Sequence, residues 1–174
     1  MRTIEPIIRW DVAFSFFCLR NRYSQQSAQV SKAISHTGDG HLYILLALVV
    51  VLLDQTSGTD FLLVGLSAFA MELPIYWLAK NTLKRRRPSE FSALLHSHIT
   101  PSDKYSLPSG HTAAAFLMAT LIGHFYPNLY LFSLLWASAI GVSRVLLGVH
   151  FLTDVLIGAA LGIVCAVLAI NGVL

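Results

Sequence analysis

Charge is scarce in this chain: Asp, Glu, Lys and Arg make up 12% of its 174 residues, against 55% hydrophobic residues. An ordinary soluble domain carries about 25% charge, so the scarcity excludes a fully water-exposed fold and puts the chain in a membrane. Cysteine is rare too. Cys18 and Cys165 stand in apolar surroundings without CxxC spacing, so they read as small hydrophobes and imply no disulfide. Also missing are an HExxH or Cys/His metal set, any nucleic-acid-binding motif, an internal repeat and a low-complexity tract. No small-residue cleavage site follows the short apolar run behind Arg2 and Arg9, which argues against a removed signal peptide.

What is there is greasy and interrupted. The mean hydropathy is +0.65, and a bilayer core needs about 20 apolar residues per helical crossing. The length therefore suits an all-α integral membrane bundle of about six transmembrane helices, one membrane-embedded domain over residues 1–174 with the lipid bilayer as its solvent. The apolar segments are 7–20, 41–53, 61–79, 109–126, 129–149 and 151–170. The first, broken by Arg9 and Asp11, is expected as a short tilted span. Ser35 to Gly40 is loop chemistry, with Asp39 expected to cap the next helix. Glu72 and Pro74 inside the third segment read as a structural kink, with Glu72 bonded to another helix. Residues 89–107 form a polar loop carrying Phe91, Leu94 and Leu95, either a lid in the headgroup layer or a connection folded back on the protein. Gly158 and Gly162 have the spacing that lets helices approach closely.

Ionisable residues in apolar sequence are costly unless paired or facing a wet cavity, so they default to function. Arg144, His150 and Asp154 are three such residues within eleven positions. His150 and Asp154, four apart, are expected on one helical face, where the carboxylate holds one imidazole nitrogen and leaves the other free. In an alternating topology, Lys80, Ser109, Ser143 and Phe151 all end or begin spans on the same side of the membrane. Lys80 and Arg87, seven apart, are expected close to one helical face, and Pro88 turns the chain. With Arg144 they are three cations at one face, joined by the backbone donors of the helix start at Ser109 to His111, a set that matches the oxygens of a phosphoryl group. Lys84, Arg85 and Arg86 read instead as a solvated basic run at the headgroups. His111 and His150 supply a nucleophile activated by Asp154 and an acid for the leaving oxygen. Metal ligation by the two histidines and Asp154 is the rival reading, disfavoured by the surrounding cations.

Together, Lys80-x6-Arg87-Pro88, Pro108-Ser109-Gly110-His111 and Ser143-Arg144-x5-His150-x3-Asp154 resemble the three-part signature of the type 2 phosphatidic acid phosphatase superfamily, matching at every specified position from about residue 35 onward. The resemblance implies that His150 attacks phosphorus to form a phosphohistidine, that Asp154 orients it, and that His111 protonates the leaving group. It further implies that Lys80, Arg87, Ser109, Gly110 and Arg144 bind the substrate phosphate, with no metal and no other cofactor. The implied substrate is a membrane lipid phosphate or pyrophosphate, of the undecaprenyl diphosphate, phosphatidylglycerol phosphate or phosphatidic acid type, or a lipid A phosphate. Bacterial family members mostly place the site at the outer face of the inner membrane. Against this, ten of the 12 Lys and Arg fall on the site side, which by the positive-inside rule favours the cytoplasm. Two readings of other classes are an intramembrane serine protease built on Ser109 and a non-enzymatic protein that binds anionic lipid headgroups.

Overall fold

The computed structural model describes residues 5–20, 24–92, 94–101 and 103–174. Arg2, Arg22 and two residues of the 89–107 loop therefore lie outside the described residues. Among the described residues eight α-helices follow one another: α1 (Glu5–Leu19), α2 (Ser24–His36), α3 (Gly40–Leu53), α4 (Gly58–Leu83), the single-turn α5 (Pro88–Phe91), α6 (Gly110–Phe125), α7 (Tyr130–Leu146) and α8 (Leu152–Val173). A short 3-10 turn at Pro127–Leu129 joins α6 to α7. The fold is all-α, with no strand among the described residues.

Among the described residues three helical stretches, containing α4, α7 and α8, are long and apolar enough to cross a membrane, or four if α2 and α3, bent by 45° at the break between His36 and Gly40, make one broken span. The expected count of about six stands against this shorter one. The apolar segments all became helices, but α1 and α6 have 15 and 16 residues, about 22–24 Å of rise against a hydrocarbon core of about 30 Å. The bundle nevertheless turns its large apolar side chains outward, among them Leu48 and Leu52 on α3, Trp77 on α4, Phe132 on α7 and Leu168 on α8. Such a surface suits lipid rather than water.

The centre of the bundle is α6, packed most extensively against α8 and next against α7 and α4. Its buried residues mix the small Thr112, Ala113, Ala115 and Ala119 with the larger Leu117, Met118 and Leu121. Opposite lie Gly158 and Gly162, where an added Cβ would stand 2.5 Å from the Ser109 carbonyl oxygen and 2.1 Å from that of Ala113. The two glycines are thus the packing device their spacing suggests. On α4, the stripe that buries Phe61, Val64 and Ala68 continues to Glu72 and Lys80, so helical periodicity alone carries an acid and a base into the interior. The helix runs on through Pro74. Glu72 is buried, yet among the described residues it makes no hydrogen bond to another helix, contrary to the expected kink brace; its side chain lines an apolar groove instead.

The glycine contact can be tested directly. Gly162→Val should cost about 1–3 kcal/mol by overpacking, read as a lower thermal midpoint in detergent. Gly172→Ala, with nothing within 4 Å of the new Cβ, should leave that midpoint unchanged.

Candidate active site

Where α4 ends, Lys84 adopts a left-handed conformation (φ 48°) and its N–H bonds to the Lys80 carbonyl. The chain therefore leaves the helix before Arg87. Lys80 and Arg87 do not share a helical face, as their spacing suggested; they meet through a common partner. Asp103, from the loop ahead of α6, accepts from Lys80 Nζ at 2.6 Å and from the Tyr76 hydroxyl at 2.8 Å, and its other oxygen accepts from the Arg87 guanidinium. Arg87 also donates to the carbonyls of Val149 (2.6 Å) and Tyr105 (3.0 Å). Burial alone would raise the Asp103 carboxyl, but the bonds from Lys80 and Tyr76 and the charges of Lys80 and Arg87 hold it below the usual carboxylate range. The loop is folded back on the protein: Leu95 is buried, and the N–H groups of His98 and Ser106 bond to the carbonyls of Leu147 and Arg85.

Arg144, on the last turn of α7, is buried and donates from one terminal nitrogen to Ser35 Oγ at 2.6 Å; its Nε has no partner. The α6 N-terminus stands alongside. Ser109 is its N-cap, and the first-turn N–H groups have no intrahelical acceptor. The Ser109 N–H bonds to the Asp154 carbonyl at 3.1 Å, and its hydroxyl pairs with that of Thr112 at 2.9 Å rather than with a histidine. That arrangement gives a serine nucleophile no base.

His150 lies in the turn between α7 and α8, not on a helix, since α8 begins at Leu152. The pairing with Asp154 inferred from helical spacing is accordingly only an approach: Nδ1 is 3.7 Å from Asp154 Oδ2, and Nδ1 is buried without a hydrogen bond. Asp154 instead accepts from the Phe151 N–H on Oδ2 at 2.8 Å and from Arg85 on Oδ1 at 2.7 Å. Burial pushes the His150 imidazole down to about 4, against the pull of Asp154, so it is neutral at pH 7 and keeps a lone pair for attack. His111, on the first turn of α6, bonds through Nε2 to Asp39 Oδ1 at 3.0 Å. Asp39 occupies the N-cap position of α3 but makes no side-chain cap; its other oxygen meets His36 Nδ1 at 2.6 Å. The one grouping with metal-ligand spacing among the described residues is His36, Asp39 and His41, not the set around His150.

Lys80, Arg87, His111, Arg144 and His150 open together onto one groove of about 550 Å³. It descends between α3 and α4, past Tyr43, Phe69 and Leu66. Sequence reasoning missed three residues here: Asp103, Asp39 as a partner of His111, and Arg85, which is no solvated headgroup base. Residues 60–174 match the sequence profile of the PAP2 superfamily. The chain belongs to that superfamily. It is 33% identical over 137 residues to the decaprenylphosphoryl-5-phosphoribose phosphatase of Mycobacterium tuberculosis, covering 76% of this chain and 72% of the relative. It is 30% identical over 152 residues to the phosphatidylglycerophosphatase B of Bacillus subtilis, covering 78% and 70%. Its fold matches the crystal structure of a transmembrane PAP2 type phosphatidylglycerolphosphate phosphatase from B. subtilis with a TM-score of 0.76 at 26% identity, over 96% of this chain and 86% of that one. It also matches LpxE of Aquifex aeolicus, with a TM-score of 0.74 at 23% identity over 91% and 93%, a likeness of fold alone.

Two outcomes follow. If the Asp103 carboxylate competes for the Lys80 and Arg87 donors, Asp103→Asn should tighten inhibition by vanadate or inorganic phosphate roughly tenfold; an unchanged inhibition constant would contradict that competition. Between pH 6.5 and about 4 the unfolded chain protonates residue 150 while the folded chain does not, so this group lowers stability as pH falls through that window. The thermal midpoint of His150→Gln should fall less steeply than that of the wild type from pH 6.5 to pH 4.5.

Proposed function

We propose that this protein is an integral membrane lipid phosphatase that cleaves a lipid phosphate or diphosphate, without a metal ion, through a phosphohistidine on His150. The observation that carries the reading is the groove: an apolar cleft open toward the bilayer on α3 and α4 whose upper end holds two histidines and three buried cations. A soluble phosphate would not need the cleft, and a lipid-binding protein would not need a neutral buried imidazole at its end. Relatives that act on decaprenylphosphoryl-5-phosphoribose and phosphatidylglycerophosphate support the substrate class. Undecaprenyl diphosphate, phosphatidylglycerol phosphate, phosphatidic acid and lipid A phosphates all present the same reacting group, and the proposal extends to each of them.

In this mechanism the substrate phosphoryl group takes the position of the Asp103 carboxylate, against Lys80, Arg87, Arg144 and the N–H groups of Ser109 and Gly110 at the start of α6. Ser109's own N–H must then exchange the Asp154 carbonyl for a phosphoryl oxygen. The imidazole of His150 forms a bond to phosphorus while the bond to the leaving oxygen breaks, and His111 gives that oxygen its proton. As it becomes charged, the ring closes on Asp154 Oδ2, which lies about 0.5 Å beyond hydrogen-bond reach of Nδ1. Water then attacks the phosphohistidine, returning a proton to His111 and releasing phosphate. The fixed cations and the helix N-terminus provide the charge stabilisation that a metal ion supplies elsewhere. We place the site at the outer face of a bacterial inner membrane. The charge bias toward the cytoplasm loses weight because Lys80, Arg87 and Arg144 are buried in the site.

The test is phosphate release in detergent from the four lipid classes, with EDTA present. Release by the wild type, with phosphate trapped on the protein after rapid quenching and none trapped in His150→Ala, is the expected result. His111→Ala should slow monoester lipids most and activated aryl phosphates least, because a good leaving group does not need the proton. Equal slowing of every substrate would remove the acid role from His111, and activity restored only by a divalent ion would remove the metal-free mechanism.

A further inference from the structure

Building on the phosphatase reading, we propose that Arg85 and Asp11 form a positioning pair for Asp154, which makes helix α1 a working part of the active site. Asp11 is 3% exposed, on a helix whose other face presents Trp10 and Phe17 outward. An acid in that position needs partners, and all of its partners lie at the base of the His150 turn. Arg85 NH2 donates to Asp11 Oδ2 at 2.6 Å, the Thr153 N–H donates to Oδ1 at 3.2 Å, and the Thr153 hydroxyl donates to Oδ2. The second nitrogen of the same guanidinium, NH1, donates to Asp154 Oδ1 at 2.7 Å and to the Thr153 hydroxyl oxygen at 2.6 Å. The guanidinium carbon sits 4.5 Å over the Phe151 ring.

A guanidinium is a rigid planar fork, so fixing one prong on Asp11 fixes the direction of the other. Arg85 holds Oδ1 of Asp154, the Phe151 N–H holds Oδ2, and the carboxylate cannot rotate. Oδ2 is thereby left as the oxygen that faces His150 Nδ1. Arg85 does not face the groove and touches neither the substrate seat nor His150; it acts through Asp154. Its neighbours Lys84 and Arg86 are exposed, with no side-chain hydrogen bond or ion pair among the described residues.

The experiment uses the full-length protein in detergent and compares Arg85→Lys, Asp11→Asn and Thr153→Val with Arg86→Gln and wild type on a lipid phosphate that wild type hydrolyses. Lysine keeps the charge but lacks the rigid planar fork that fixes one acid relative to the other, and Thr153→Val removes the hydroxyl between them at similar volume, so the test survives if one variant does not fold. Each pair variant should lose roughly 10–100-fold in kcat, the scale of a misplacement of about 1 Å. KM should stay within about twofold, because Lys80, Arg87 and Arg144 are untouched. Arg86→Gln should match wild type. The deciding readout is a cycle with Asp154→Asn: if Arg85 acts through Asp154, adding Arg85→Lys to Asp154→Asn should cost little more, whereas a merely structural role predicts that the losses multiply. Multiplying losses, wild-type kcat in the pair variants, or a change confined to KM would each overturn the pairing while leaving an active wild type and the phosphatase reading intact. A wild type that releases no phosphate from any lipid would remove both.

Discussion

Ionisable groups at one end of an apolar bundle must find partners there, and that demand shapes everything around the site. Lys80 and Arg87 converge on Asp103, Arg85 on Asp11 and Asp154, and His111 on Asp39. Each of these contacts ties together segments far apart in the chain, and losing Asp11 or Asp103 would leave Arg85, Lys80 or Arg87 short of a partner in a largely buried site, a cost of several kcal/mol where burial is complete. The loop ahead of α6 is held down by Asp103 and by backbone bonds to Arg85 and Leu147. Helix α1, too short to cross a bilayer on its own, is held by Asp11.

Among the described residues, three buried polar atoms of groove-lining side chains escape this pairing, the Tyr43 hydroxyl, Arg144 Nε and His150 Nδ1, and the last two belong to groups of the proposed reaction. Nδ1 is the nitrogen that Asp154 must meet when the imidazole becomes cationic, and Arg144 is the cation without an acid partner in direct contact. These two groups are thus ones whose pairing the proposed reaction would complete, a common use of stored electrostatic imbalance in an active site. Asp103 gives the complementary view. By engaging Lys80, Tyr76 and Arg87 at once it occupies the seat that the proposed mechanism gives to the phosphoryl group, and it keeps the two cations from repelling each other.

The sequence made the proposed reacting groups legible: Arg144, His150 and Asp154 stood out because their types are rare in apolar surroundings, His111 stood out by its place at the helix start behind Ser109, and the structure brings them together with Lys80 and Arg87. The glycine spacing on α8 was equally readable. What could not be read was which members of a run turn inward. Lys84 to Arg87 are four consecutive bases, and their fates are divided by the left-handed turn at Lys84 and by Asp11, 74 positions from Arg85. Helical periodicity misled twice, for Lys80 with Arg87 and for His150 with Asp154, because in each pair one residue lies just outside a helix. Asp39 sits at the expected cap position, but a histidine on another helix competes for its carboxylate and wins, a tertiary contact that local spacing does not encode.

The α6–α8 contact shows why packing and chemistry cannot be separated in this bundle. Gly158 lies against the carbonyl of Ser109, so close that a methyl group would stand 2.5 Å from its oxygen. The N–H of the same Ser109 bonds to the carbonyl of Asp154, four residues before Gly158. The start of α6, whose N–H groups the proposed mechanism uses for a phosphoryl group, is therefore docked directly on the first turn of the helix that carries Asp154. Any side chain at position 158 would push those donors away from His150 before it weakened the bundle elsewhere. Small residues of this kind are usually explained by helix association alone; here the same atom-level contact sets the distance between the start of α6 and the His150 turn, and so ties the geometry of the proposed reaction to the core of the fold.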